Sequence, residues 1–90
     1  MKIHRNIAQG KDRRKMSKEE RKFWIDFGII VKSHRRRIKV SQQTLAEGLE
    51  VSRAHIPNIE AGRSRVSAYG ALTIAYILNF PVKRLFSPYE

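Results

Sequence analysis

The chain has 90 residues, 19 Lys+Arg against 8 Asp+Glu, no cysteine and a formal net charge of +11. One small domain is all that this length predicts, and the missing cysteines exclude disulfides, zinc–thiolate sites and thiol catalysis. No apolar run approaches the ~20 residues of a spanning helix and no N-terminal stretch reads as a signal peptide, so the excess base points to a polyanion met in the cytoplasm, nucleic acid ahead of an anionic membrane.

Residues 1–16 are rich in base and show no helical or strand period, which predicts a flexible basic arm. Ser17-x-x-Glu20 reads as a capping box opening a helix. Phe23, Phe27, Ile30, Val31, His34 and Ile38 then fall on one stripe of a helix running to about Arg37, with Gly28 marking a bend or a break inside it. Residues 17–26 are taken as an N-terminal helical extension of a domain spanning 27–86. Phe23, Trp24 and Tyr69 are expected in the core, and His34 is expected as a satisfied core histidine. The run RRRIK at 35–39 suits either a solvated helix end or phosphate contacts from Arg36 and Arg37.

Ser41 caps a second helix with Leu45, Ala46 and Leu49 inward, and Ser52 a third with Ile56 and Ile59 inward. Ser67 caps a fourth with Leu72, Ala75 and Leu78 as its buried stripe, and Asn79 ends it in a left-handed conformation. Pro81 opens a short fifth helix with Val82, Leu85 and Phe86 pointing in, and residues 87–90 form a tail. No strand pattern or repeat occurs, so the fold class is all-α.

Two of these segments, SQQTLAEGLE and VSRAHIPNIE, carry the chemistry. Two short helices crossing steeply need a small residue where they touch, a buried residue in the turn and apolar residues locking the second helix down. Ala46, Val51, Ile56 and Ile59 have that spacing, the spacing of a helix-turn-helix. With Ser41-Gln42, Ser52-Arg53, Glu60-x-Gly62, Leu78-Asn79-Phe80 and Leu85-Phe86, the stretch from about 27 to 86 resembles the Cro/lambda-repressor-like (XRE) family.

The resemblance implies a five-helix lambda repressor-like domain whose third helix enters the major groove. By position it puts Gln42, Arg53, Ala54, His55, Pro57 and Asn58 at the DNA, and Arg63, Ser64 and Arg65 near phosphates in the following loop. It also implies a structural ion pair between Arg35 and Glu60. Arg53 is the strongest candidate for direct readout, since a guanidinium matches guanine O6 and N7. The chain departs from the family pattern at Lys39 and Glu50, where glycine is usual, at Val66, where proline is frequent, and at Pro57. Inside a helix that began at Ser52, Pro57 would delete a backbone bond to Arg53 and bend the helix.

No catalytic constellation, Gly-rich phosphate loop or helix-spaced histidine pair is visible, so no enzyme activity, cofactor or metal is expected. The expected function is a sequence-specific duplex-DNA-binding transcriptional regulator, a repressor of bacterial, phage or plasmid origin. It would act as a homodimer through either the fifth helix with Phe86 and Tyr89 or the segment around Phe23 and Trp24. The alternatives are an antitoxin that pairs with a small toxin and represses its own operon, and a protein–protein adaptor on the same fold. Nothing in the chain favours RNA.

Overall fold

The computed structural model describes residues 15–79 together with 81, 83 and 84. Four helices follow one another: α1 (Lys18–Arg37), α2 (Gln42–Leu49), α3 (His55–Glu60) and α4 (Ala68–Leu78). The described residues contain no strand, as the periodicity required. No helix among them is long and apolar enough to cross a membrane.

Three helices open as their serines dictate. The hydroxyls of Ser17, Ser41 and Ser67 accept the backbone N–H of Glu20, Thr44 and Gly70 at 3.0, 2.9 and 3.0 Å, each satisfying one donor that has no partner within its helix. The helix ends share a different device. After α1 the N–H of Val40 reaches the Arg35 carbonyl at 3.0 Å and that of Lys39 reaches Arg36 at 3.1 Å. After α2, Val51 reaches Ala46 at 3.0 Å and Glu50 reaches Glu47 at 3.1 Å. After α3, Arg63 reaches Asn58 at 2.9 Å and Gly62 reaches Ile59 at 3.1 Å. All three are Schellman closures. Their pivotal residues Lys39, Glu50 and Gly62 have φ of 64°, 61° and 79°, and Asn79 closes α4 with φ 58°. Lys39 and Glu50 thus hold the left-handed backbone that glycine would take without strain.

Phe27, Val31, Leu45, Leu49, Ile56, Ile59, Ile74 and Leu78 are fully enclosed. Burying each such side chain contributes about 1.5–3 kcal/mol. A helix as short as α3 has no stability alone, so Ile56 and Ile59 hold it against α1 and α2. Two glycines set how closely α3 approaches α1. A Cβ on Gly28 would strike the Glu60 carbonyl oxygen and lie 2.6 Å from that of Ile59, and one on Gly62 would lie 2.6 Å from the Cα of Ile25. Gly28 is therefore a close-approach residue inside one continuous α1, and not a break into two helices. His34, half-buried, donates from Nε2 to the Leu78 carbonyl at 3.0 Å and tethers the end of α4 to α1.

Several expectations need correction. α3 starts at His55 and not at Ser52; its N-cap is Ala54, without a side-chain cap. Ser52 to Ala54 form a tighter turn, in which the carbonyls of Ser52 and Arg53 accept the N–H groups of His55 and Ile56 at 3.1 and 3.0 Å. Pro57 is the cause, since it has no N–H to give Arg53. As the third helical residue its missing donor is one that a helix start leaves unpaired anyway, so the penalty expected at Pro57 does not arise. On α4 the buried set is Gly70, Ala71, Ile74, Ala75 and Leu78, while Tyr69 and Leu72 face solvent. Ile38 is likewise exposed at the end of α1, where the enclosed positions are Phe27, Gly28, Val31 and Arg35. Past Asn79 the described residues show one turn, with the Arg84 N–H on the Pro81 carbonyl at 3.0 Å. Val82, Leu85, Phe86, the tail 87–90 and residues 1–14 of the arm lie outside the described residues.

Candidate nucleic-acid interface

The centre of the site is a buried carboxylate. Glu60 ends α3 with its side chain 4% exposed and meets Arg35, itself 10% exposed, at 2.6 Å. Arg35 donates from Nε and Nη2 to the two Glu60 oxygens at 2.6 and 3.3 Å, and from Nη1 to the Val40 carbonyl at 2.8 Å. Gln42, the first residue of α2, donates from Nε2 to Glu60 Oε1 at 3.1 Å. One carboxylate thus joins the end of α1, the start of α2 and the end of α3. Every buried side-chain polar atom among the described residues is satisfied, the condition under which a buried ion pair is tolerated. The amide of Gln42 keeps one N–H and its carbonyl oxygen for an outside partner.

Around this joint the turn and α3 divide by face. Ile56 and Ile59 point inward, whereas Arg53, Ala54 and Pro57 are exposed and His55 and Asn58 are half-buried. His55 Nδ1 lies 3.1 Å from Ser52 Oγ and 3.3 Å from the Ser52 carbonyl, so that imidazole braces the turn. Arg63 donates from Nε to Asn58 Oδ1 at 2.9 Å. Schellman closures usually carry an apolar contact at this pair of positions; here a polar one fixes the Arg63 guanidinium beside the end of α3. Ser64 is half-buried in the same loop.

Arg65 sits apart from the others. Its Nε and Nη2 bond the two oxygens of Glu20 at 2.5 and 3.1 Å, and Trp24 Nε1 donates to the same carboxylate at 3.0 Å. The Arg65 side chain is only 15% exposed. Trp24 in turn lies edge-on to Phe23 and Phe27, with ring centroids 4.8 and 5.2 Å away. The first turns of α1 are thereby clamped to the loop that follows α3.

Two of these connections carry no local signal in the sequence. Glu20 and Arg65 are 45 residues apart, and Glu20 already had a local explanation as a capping residue. The resemblance points Gln42 only toward DNA, whereas the packing of α2 on α3 also brings its amide to Glu60.

No protein-family model matches the chain, and no curated protein matches it. It is similar to a solved structure, that of the restriction-modification controller protein C.AhdI from Aeromonas hydrophila. The two superpose with a TM-score of 0.66 at 28% identity, over 70% of this chain and 96% of that one. The all-α fold derived above, with α2 and α3 joined through a tight turn, is therefore the fold of that controller protein.

Proposed function

We propose that this protein is a transcriptional controller that binds duplex DNA, with α3 and its preceding turn set into the major groove. The observation that carries this reading is the division of faces at α3. A six-residue helix is pinned from behind by two isoleucines and a buried ion pair, while its leading edge offers Arg53, Ala54 and Pro57 to solvent. A chain of net charge +11 supplies the long-range attraction to phosphate, and the likeness to a restriction-modification controller supports the assignment.

The residues take separate roles in this reading. Arg53 reads a base edge, with guanine as its best partner. Pro57 and Ala54 offer apolar surface to a thymine methyl. Gln42 and Asn58 donate amide N–H groups to phosphate or to base acceptors, and His55 grazes the backbone. Arg63 and Ser64 hold phosphates, which sets register but not sequence. Arg65, engaged by Glu20, positions the loop. A repressor of bacterial, phage or plasmid origin that covers a pseudo-palindrome as a homodimer fits these roles, with half-site centres about 34 Å apart.

Selection from random duplex DNA at two salt concentrations tests the reading. The expected result is an enriched motif with two related halves, whose affinity falls steeply with salt. Arg53→Ala is expected to relax preference at one position per half-site by about 1–3 kcal/mol. Absence of any enriched sequence, or an Arg53→Ala profile identical to wild type, would refute it.

A further inference from the structure

The polar closure after α3 decides what Asn58 can read. A side-chain amide carries one acceptor oxygen and two donor hydrogens. In the major groove such an amide ordinarily pairs with adenine, and it needs both kinds of atom: its oxygen accepts an N6 hydrogen while one of its own hydrogens goes to N7. Asn58 lies four residues beyond the exposed Ala54, on the same face of α3. Its oxygen is already engaged, since Arg63 donates from Nε to Oδ1 at 2.9 Å. An arginine Nε–H can only donate, so the amide cannot turn over without setting two donors against each other. The backbone holds the same two residues together, with the Arg63 N–H on the Asn58 carbonyl at 2.9 Å. Between them Gly62, at φ 79°, packs so close to the Ile25 backbone that a Cβ would not fit.

Asn58 therefore meets a base with donors. Among the described residues neither hydrogen of its Nδ2 has a partner. Oδ1 keeps a second lone pair, but an adenine amino group using it would bring its own hydrogens against the Arg63 guanidinium. Guanine offers the opposite edge, with O6 and N7 both accepting, and the cation beside the amide adds to that attraction. Gln42 differs, because it gives a hydrogen to Glu60 and keeps its oxygen, so both kinds of atom remain on it. We propose that Arg63 locks the Asn58 amide as a donor, so that Asn58 selects guanine and rejects adenine at one base pair of its site. In this arrangement Asn58 touches the base, and Arg63 is a positioning residue whose Nη groups still reach phosphate. The assignment deepens the duplex-reading role given above and rests on it.

Selection from random duplex DNA with the full chain and its variants tests this. Asn58→Ala identifies the position concerned, as the one where preference is lost. In the wild type that position is expected to be a G·C pair. Arg63→Ala releases the amide, so the ratio of adenine to guanine there should rise at least about fivefold, the lower end of what one base contact discriminates. Lys32→Ala, which removes an exposed cation from α1, should leave that ratio unchanged, which separates the lock from loss of charge. Should circular dichroism show that Arg63→Ala disturbs the fold, Arg63→Met keeps the stem and lacks the donor. Without DNA, the Arg63 Nε–H should give an NMR signal protected from exchange with water in the wild type, and should lose that protection in Asn58→Ala. An A·T pair at the Asn58 position, no position sensitive to Asn58→Ala, an unchanged ratio in Arg63→Ala, or an unprotected Nε–H would each overturn the proposal and leave the duplex-reading role standing. A selection that enriches no sequence refutes that role, and the proposal with it.

Discussion

Lys39 offers a direct measure of the cost of building this fold without glycine at its turns. It holds φ 64° in the closure after α1, its side chain is exposed, and its backbone N–H bonds Arg36 at 3.1 Å, a bond that any residue but proline can make. A left-handed backbone costs a residue with a Cβ about 1–2 kcal/mol. Glycine removes that strain but loses about 0.4–1 kcal/mol through its freer unfolded chain. The balance predicts that Lys39→Gly stabilises the protein by roughly 0.5–1 kcal/mol, or about 2–8 °C in Tm for a domain of this size. Thermal unfolding without DNA measures it. Lys39→Ala is the control, because it removes the same positive charge but keeps a Cβ. Were relief of charge repulsion the cause, alanine would match glycine. A Lys39→Gly variant no more stable than Lys39→Ala would refute the strain argument.

Other variants probe the joints around α3. Glu60→Ala leaves Arg35 buried and unpaired, so chemical denaturation is expected to show a loss of about 3–5 kcal/mol. Glu20→Gln loosens the clamp on Arg65 at a cost of about 1 kcal/mol, moderated because the pair is partly solvated; by removing a negative charge beside the loop that follows α3 it should raise affinity for duplexes at low salt. Arg63→Ala should act in the opposite sense, lowering overall affinity and flattening the dependence of log affinity on log salt by about 0.9. Gly28→Ala would gain about 1 kcal/mol in an exposed helix. Here its methyl meets two carbonyl oxygens of α3, so the unfolding midpoint should fall, overpacking costing about 1–3 kcal/mol.

The sequence was legible where local chemistry decides the outcome. Serine caps at 17, 41 and 67 depend only on neighbours a few residues away, and the inward side of α3 is marked by the apolar Ile56 and Ile59 among polar neighbours. It was illegible where no contrast existed. α4 is apolar on every side, so periodicity could not choose between a face with Leu72 and one with Ala71 and Ile74. At Ser52 the signal was present but was overruled: the serine marks a helix start, while Pro57 requires the Arg53 carbonyl to be met by Ile56. The start of α3 follows the proline. The glycines were ambiguous for a third reason. Gly28 inside a helical stripe reads as a weak point until the partner that needs its missing Cβ is known to be α3.

These long-range joints bear on how so short a helix could read DNA. Six residues cannot hold their own geometry, and the base readout proposed for Arg53 requires that it be presented to within about 0.5 Å. The fold fixes α3 at both ends by different means. At its C-terminus, Glu60 is bonded to Arg35 and Gln42, and Gly62 lies against the backbone of Ile25. At its N-terminus, the turn at Ser52 to Ala54 is braced by His55. The loop beyond is held by Arg65 on Glu20, which in the proposed reading makes the first turns of α1 part of the DNA-contacting unit. Loosening that clamp should therefore do more than remove one negative charge. If α1 positions α3, Glu20→Gln blurs discrimination between the selected motif and its single-base variants even where total affinity rises. If Glu20 acts only as a competing charge, affinity rises equally for all duplexes and discrimination stays intact. Binding curves on matched and mismatched duplexes at one salt concentration separate the two.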